Sequence, residues 1–347
     1  METAKKFYSA IGLSRLIITL FLLFLFAMVV VLEIDLYMAI SDCLSRIGRN
    51  GLFTLAMMIS IVCGAGLNFG LPIGIVCGLV GGVISLEYNM QGFAGFFVAV
   101  LISVPLAVIA GTLYGNILNR VKGSEMMVGN YLAFSVVSLF CIVWIFFPVK
   151  NTKIMWPMLG YGVRTTVTLD DYYSKILDTF LAIKFDNGLV IPTGLFIFFI
   201  LGCIGVCIFL KTKTGIMMAC CGSNPEFARF IGINVNKMRI LGIVISTILA
   251  AAGIVVYAQS FGFYQFYSAP LMMAFQAIAS VLIGGATPRK AHISHVIIGT
   301  VLFQSILTIA MPVANKAVSA GSLSEIARVL VCNGIILYAL TKINRGK

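Results

Sequence analysis

"GSNPEFARFIGINVNKMRILGIVISTILAAAGIVVYAQ", Gly222 to Gln259, joins two kinds of chain. From Arg239 onward it is an apolar run of the length needed to cross hydrocarbon, about 20 residues. Its first half is polar and punctuated like a soluble helix. Ser223 and Asn224 are both N-cap residue types. Ser223-Asn224-Pro225-Glu226 fits the S-x-x-E capping box, with Glu226 reaching back to the cap. Pro225 suits a first turn, where its missing N–H costs nothing, and Gly232 is placed to end the helix. The spacing predicts about two turns, roughly 10 Å at 1.5 Å per residue. Phe227, Phe230 and Ile231 share one face, while Glu226 and Arg229 project elsewhere. Two turns are not stable alone in water, so a partner or the rest of the chain holds them. The residues admit two readings: an amphipathic helix resting on the inner leaflet, or a knob whose aromatics anchor a cytoplasmic partner.

Composition places this stretch in a membrane protein. The chain has 347 residues, 60% hydrophobic and only 10% charged, with mean hydropathy +1.06; a soluble domain carries about 25% charged residues. Apolar segments run over 16–32, 51–66, 69–86, 93–118, 127–148, 190–210, 239–258, 270–286, 291–311 and 325–341. The expectation is an all-α, polytopic protein of about ten transmembrane helices, a single domain over 1–347. Its two long connections are 149–189 and 211–238. The first run, Leu16 to Leu32, follows Lys5, Lys6 and Arg15. It exceeds the 7–15 apolar residues of a signal sequence and no A-x-A cleavage pattern follows, so it reads as a retained span.

Charge orients the spans. With the N-terminus inside and the segments alternating, fifteen of the 24 Lys and Arg residues fall inside, against three acids, Glu2, Glu125 and Glu226. The positive-inside rule expects this imbalance. Both termini and 211–238 are then cytoplasmic, and 149–189 is extracytoplasmic. The net charge of +12 is thereby a topology signal, and no nucleic-acid motif accompanies it. In the outer loop, VTLDDYYSKILDTFLAI reads as a helix capped near Thr168 or Asp170. It presents Ile176, Leu177 and Phe180 on an apolar face, either lying on the outer leaflet or serving as a docking platform.

GAGLNFGLPIGIVCGLVGG, Gly64 to Gly82, places Gly70, Gly74, Gly78 and Gly82 on one helical face. Small residues at that spacing let helices approach closely in lipid. Asn68 and Pro72 interrupt the run, so it reads equally as a tightly packed pair with a turn or as a broken helix lining a path. The nine cysteines lie mostly within apolar runs, and none forms a C-x-x-C pair near histidines. Neither a disulfide framework nor a metal site is expected. No G-x-x-x-x-G-K-[ST] phosphate loop is present; the chain is not expected to hydrolyse ATP or to be an enzyme.

Three stretches carry a resemblance. Gly222, Asn224, Ala228, Gly232, Ile233 and Ala252-Gly253 stand where permease subunits of ATP-binding-cassette importers have G-x-N-x-x-A-A-x-x-x-G-I followed by A-G. Phe227 replaces the first of the paired alanines. AIASVLIGGATPRKAHISHVIIGTVLFQSI, Ala277 to Ile306, resembles that family's A-x-x-x-IGG segment, with Pro288-Arg289-Lys290 where glycine is usual. GAGLNFGLPIG resembles G-G-I-D-L-S-V-G, with Asn68-Phe69-Gly70 in place of D-L-S. The branch is the one for ribose-type sugars, nucleosides and branched-chain amino acids.

The resemblance implies a type II importer-like arrangement in a bacterial inner (plasma) membrane. Two permease chains, identical or related, enclose one path. Two cytoplasmic ATPase subunits, which bind ATP and Mg, grip the coupling helices, and an extracytoplasmic binding protein delivers the solute. The coupling residues are then Asn224, Glu226, Phe227, Ala228, Arg229, Phe230 and Gly232. Candidate path residues are Asn68, Phe69, Asn130, Tyr131, Gln276 and Gln304, each of which equally suits a helix–helix hydrogen bond or aromatic contact. EMMVGNYLAF, Glu125 to Phe134, resembles the E-x-x-x-x-x-x-N-Y-x-A segment of nucleoside-type permeases, although the family's threonine is absent. With no charged residue expected mid-span, the solute reads as neutral and hydroxylated, a nucleoside or simple sugar. A branched-chain amino acid or other small-molecule permease, or a secondary transporter, is the alternative.

Overall fold

The computed structural model describes residues 13–156, 160–288, 290–317 and Gly334. It is mostly helical. The long helices are α1 (Leu13–Val31), α2 (Leu36–Val62), α3 (Leu71–Glu87), α4 (Gly92–Arg120) and α5 (Glu125–Phe146). After the long loop, which contains the short α6 (Ile176–Thr179), come α7 (Thr193–Lys211), α8 (Lys213–Ser223) and α9 (Pro225–Phe230). α10 (Val235–Phe261), α11 (Ala269–Ile283) and α12 (Ile293–Ala317) follow. Nine of the ten expected segments coincide with helices; 325–341 lies outside the described residues apart from Gly334. Among the described residues, five helices are long and apolar enough to cross a membrane: α4, α5, α7, α10 and α12. The expectation of an all-α chain needs one amendment. β1 (Thr166–Thr168) pairs antiparallel with β4 (Phe263–Gln265), and β2 (Ile183–Lys184) with β3 (Val190–Ile191).

α2 departs most from the sequence reading. It begins at Leu36 rather than near 51, because the Asp35 carboxylate accepts from the N–H groups of Tyr37 (2.9 Å) and Met38 (3.2 Å) and starts the helix there. Asp42, Arg46 and Arg49, which precede the expected segment 51–66, are therefore inside a 27-residue helix. α2 is not among the five helices long and apolar enough to cross a membrane, and these charges lie ahead of its apolar part.

α10 is the central helix, packed on α2, α3 and α4. Glycine makes the approach possible. A Cβ on Gly74 would lie 2.6 Å from the Thr247 carbonyl oxygen, and one on Gly78 2.4 Å from that of Ala251, so α3 meets α10 backbone to backbone. The close-packing reading of the glycine face is thus realised against α10 for these two positions. Gly70 instead abuts Tyr114, and Gly82 abuts Tyr264. A second apolar cluster joins α1 to α12 through Ile18, Leu22, Leu25 and Val29 against Phe303, Ile306 and Ala310.

The loops sort onto two ends of the bundle. At one end, the Lys316 ammonium donates to the Glu33 carbonyl (3.0 Å), Gly92 N–H to the Tyr172 carbonyl (2.9 Å) and the Ser41 hydroxyl to the Val190 carbonyl (2.9 Å). At the other end, Lys122 donates to the Asn236 side chain (2.8 Å), Arg239 pairs with Glu125 (2.6 Å), and Gly64 abuts Gly222.

The long loop is built differently from the amphipathic helix expected of it. Among its described residues only Ile176–Thr179 is helical, and Lys175 before it sits at φ 54°. Tyr172, Tyr173 and Leu177 are not surface groups; they are buried in the main core. The Tyr173 and Tyr264 hydroxyls are 3.1 Å apart, and Asn151 donates to the Tyr172 hydroxyl (2.7 Å) and the Leu86 carbonyl (3.0 Å). The reason is the β1–β4 ladder. Pairing Thr166–Thr168 with Phe263–Gln265 pulls the following aromatics inward onto the ends of α3 and α10.

Candidate functional site

The stretch Lys213–Phe230 forms two short helices joined at Asn224, at the end opposite the long loop. α8 starts on Thr212, whose hydroxyl accepts from Gly215 N–H (3.2 Å). α9 is capped by Asn224, whose side-chain oxygen accepts from Phe227 N–H (3.0 Å). Of the two cap candidates Asn224 is therefore the one used; Ser223 instead donates to the Cys220 carbonyl (3.1 Å) and does not form the expected box with Glu226. Gly232, at φ 83°, ends the helix in a Schellman turn: its N–H reaches the Arg229 carbonyl (3.0 Å), and Ile233 N–H reaches that of Ala228 (2.9 Å). Ala228 is buried with Cys221 and Val235, which fastens α9 to α8 and to the start of α10.

The opposite side of α9 is bare. Phe230 is 90% exposed, Phe227 53% and Ile231 54%. Glu226 and Arg229 are also exposed. A capped helix of six residues thus carries two aromatics and an isoleucine on its exposed side. Its mounting is close-packed. A Cβ on Gly222 would stand 2.1 Å from the Val62 carbonyl oxygen, so α8 rests directly on the end of α2. A cleft of about 970 Å³ opens beside it, bounded by Gly64, Gly66, Glu125, Met127, Gly222 and Glu226.

The candidate path residues divide into two groups. Asn68 sits in the break between α2 and α3 and is held there by three side-chain hydrogen bonds. Its side-chain oxygen accepts from Gly70 N–H (3.0 Å) and the Tyr114 hydroxyl (3.0 Å), and its amide donates to the Ser246 hydroxyl (3.1 Å). It joins α3, α4 and α10 and has little left for a solute. Phe69 meets Phe275 edge-on, with centroids 6.3 Å apart, next to the half-buried Gln276 of α11. Gly129 of α5 lies against the Tyr114 hydroxyl and Gly70, one residue before Asn130 and Tyr131. Tyr131 is 68% exposed. Phe69 and Gln276 lie where the break meets α11, while Asn130 and Tyr131 follow on α5, which packs on α3 and α11. Gln304 does not join them: it is buried on α12 and accepts from the Arg46 side chain (3.2 Å).

Arg46, Arg49 and Asp42 are the residues that sequence reasoning missed. Two signals pointed to them, the Asp35 cap and the i, i+4, i+7 spacing that puts all three on one helical face. The Arg49 guanidinium carbon lies 5.7 Å from the Tyr257 ring centroid and 5.5 Å from that of Phe261. In this geometry the ring faces attract the cation.

Comparison with known proteins agrees with this architecture. The family model described as "Branched-chain amino acid transport system / permease component" matches residues 39–340. The chain is 29% identical over 102 residues to the nucleoside ABC transporter permease protein NupC of Lactococcus lactis, covering 29% of this chain and 32% of that one. It is 29% identical over 160 residues to the tyrosine transport system permease protein of Clostridioides difficile, covering 45% of this chain and 52% of that one. The chain thus spans about a third and about half the length of these two relatives. With a match that takes in α2 through α12, the chain belongs to the family of branched-chain amino acid transport system permease components.

Proposed function

We propose that this chain is the membrane subunit of an ATP-binding-cassette importer, and that Lys213–Phe230 is the element on which a separate cytoplasmic ATPase pulls. The observation that carries this reading is the exposed Phe227, Phe230 and Ile231 face of a helix capped at both ends. Asn224, Ala228 and Gly232 hold the helix, Phe227 and Phe230 enter the ATPase groove, and Glu226 and Arg229 flank them. The chain itself carries out no reaction; ATP and Mg belong to the partner. A second permease chain, identical or related, completes the path, and an extracytoplasmic binding protein docks at the long-loop end. The short-helix end faces the cytoplasm of a bacterial cell, with both termini on that side.

For the solute, the junction of the break, α5 and α11 supports a nucleoside or simple sugar, with Phe69 and Tyr131 to stack on a ring and Asn130 and Gln276 to hydrogen-bond its edge. A specific observation favours a second reading, an amino acid: the charged face of α2 supplies the mid-helix groups that a zwitterion requires. The test of the common core is reconstitution. Permease, ATPase and binding protein together should move labelled solute into vesicles only with ATP. Uptake by the permease alone, driven by an ion gradient, would make it a secondary transporter and overturn the proposal.

A further inference from the structure

Two ion pairs form among the described residues, and they differ in kind. Lys153 and Asp171 meet at the surface, whereas Arg239 of α10 and Glu125 of α5 meet at 2.6 Å with only 8% and 20% of their side chains exposed. An enclosed pair is a weak stabiliser, because the cost of desolvating two charges offsets their attraction. What it does offer is registry, one fixed relative position for the two elements that carry it.

Both partners stand where registry matters. Arg239 is four residues after Val235, one turn further along the same face of α10. Val235 is buried with Ala228 of α9 and Cys221 of α8. Glu125 is the first residue of α5, and its second carboxylate oxygen accepts from Gly123 N–H (2.8 Å), which fixes the carboxylate at the α4–α5 turn. Two further bonds cross the same gap, from the Asn119 amide to the Asn236 carbonyl (3.0 Å) and from Lys122 to the Asn236 side chain (2.8 Å). Both are exposed, and exposed polar contacts hold elements together only weakly.

α5 is the helix most free to follow. Among the five candidate spans it is the least enclosed, with 17% of its apolar stretch buried against 61% for α10. Few buried apolar contacts mark the segments that move most readily. A shift of α9 has a contiguous route into this helix. It runs from Ala228 to Val235, one turn along α10 to Arg239, across the ion pair to Glu125, and along α5 to Asn130 and Tyr131.

We propose that the Glu125–Arg239 ion pair is the link through which movement of α9 repositions α5. Glu125 and Arg239 are then positioning residues, which act through their helices and touch no solute. The inference rests on the proposed grip of an ATPase on α9.

The experiment uses the full-length permease in complex with its ATPase in lipid nanodiscs. Tyr131→Cys, in an otherwise cysteine-free chain, reports on α5 through its rate of labelling by a maleimide; the position is exposed. Addition of ATP with orthovanadate, which holds the ATPase closed, should change that rate. Arg239→Gln and Glu125→Gln should each abolish the change while the ATPase co-purifies at wild-type yield. Arg239→Lys, which keeps the charge, and Lys122→Ala, which removes only an exposed bond, should retain it. A single substitution leaves one buried charge unanswered and is destabilising. Glu125→Gln/Arg239→Gln leaves none, and this double variant should fold, bind the ATPase and show the same loss. A response that survives the double substitution overturns the inference and leaves the ATPase grip standing. A position 131 that ignores ATP with Glu125 and Arg239 intact does the same. Loss of ATPase association in the double variant would make the pair part of the docking face and overturn the link. An ATPase that never associates with the unsubstituted permease removes the proposed function and the inference with it.

Discussion

Phe230 is the most exposed large apolar side chain among the described residues. Nothing in the fold needs it, so its removal isolates the interface. Truncating a buried aromatic anchor costs about 2 kcal/mol or more at an interface, and 1.4 kcal/mol is tenfold. Phe227→Ala/Phe230→Ala should therefore leave expression and melting temperature unchanged and weaken ATPase association by roughly thirtyfold. Co-purification of the ATPase at wild-type yield would remove the gripping role. Gly222 is the opposite kind of residue. Gly222→Ala puts a methyl 2.1 Å from a backbone oxygen of α2, which cannot move aside as a side chain does. Overpacking of this kind costs about 1–3 kcal/mol, so the variant should melt earlier even without a partner. An unchanged melting curve would mean that α8 does not rest on α2 as described.

At the scale of elements, the long loop behaves as part of the core. Its Tyr173 and Leu177 are buried against α3, α4 and α10, so deleting 149–189 should prevent folding rather than merely weaken docking of a binding protein. A deletion that still folds and loses only docking would restore the picture of a separable platform. Asp178 offers a finer test of the same element. Burial raises its pKa above the ordinary 3.8, while Ser260, Arg49, Gln259 and Lys175 pull the other way. The folded chain thus holds this proton more tightly than the unfolded chain. The stability contributed by protonation is full below the unfolded pKa and is lost as pH rises through the folded value. Asp178→Asn should therefore be at least as stable as wild type at neutral pH, and its melting temperature should fall less between about pH 4 and 7. Melting curves of both proteins across that range check the sign. A wild type that gains stability relative to the variant as pH rises would contradict it.

For the whole molecule, the contacts place the long loop at one end of the bundle and α8–α9 at the other, which fits helices that alternate in direction. Single cysteines at Thr165 and Ser223 in a cysteine-free background should label from opposite faces of the membrane. An impermeant reagent should reach position 165 in intact cells and position 223 only after lysis. Labelling of 223 from outside would invert the proposed orientation and with it the ATPase contact.

Local chemistry was legible from the sequence. The α9 helix, the left-handed Gly232 and the exposed aromatic face follow from cap preference and 3.6-residue spacing, which are properties of a few consecutive residues. The apolar segments followed from composition for the same reason, since hydrophobic runs need no tertiary context to be seen. Tertiary structure decided what depends on distant partners. Asn68 reads from sequence as either a path residue or a helix–helix hydrogen bond; the fold makes it the latter, with bonds to Tyr114 and Ser246, 46 and 178 residues away. Gln304 reads likewise, and Arg46 takes it from 258 residues away. The charged first half of α2 precedes the expected segment 51–66, because charge in a hydrophobic chain usually marks an end. It is a helix because Asp35 caps it and because Tyr257, Phe261 and α12 give its arginines rings and a cleft to face. The long loop is core rather than surface because β1 finds β4 almost a hundred residues later, and no local pattern specifies a strand pair of that separation.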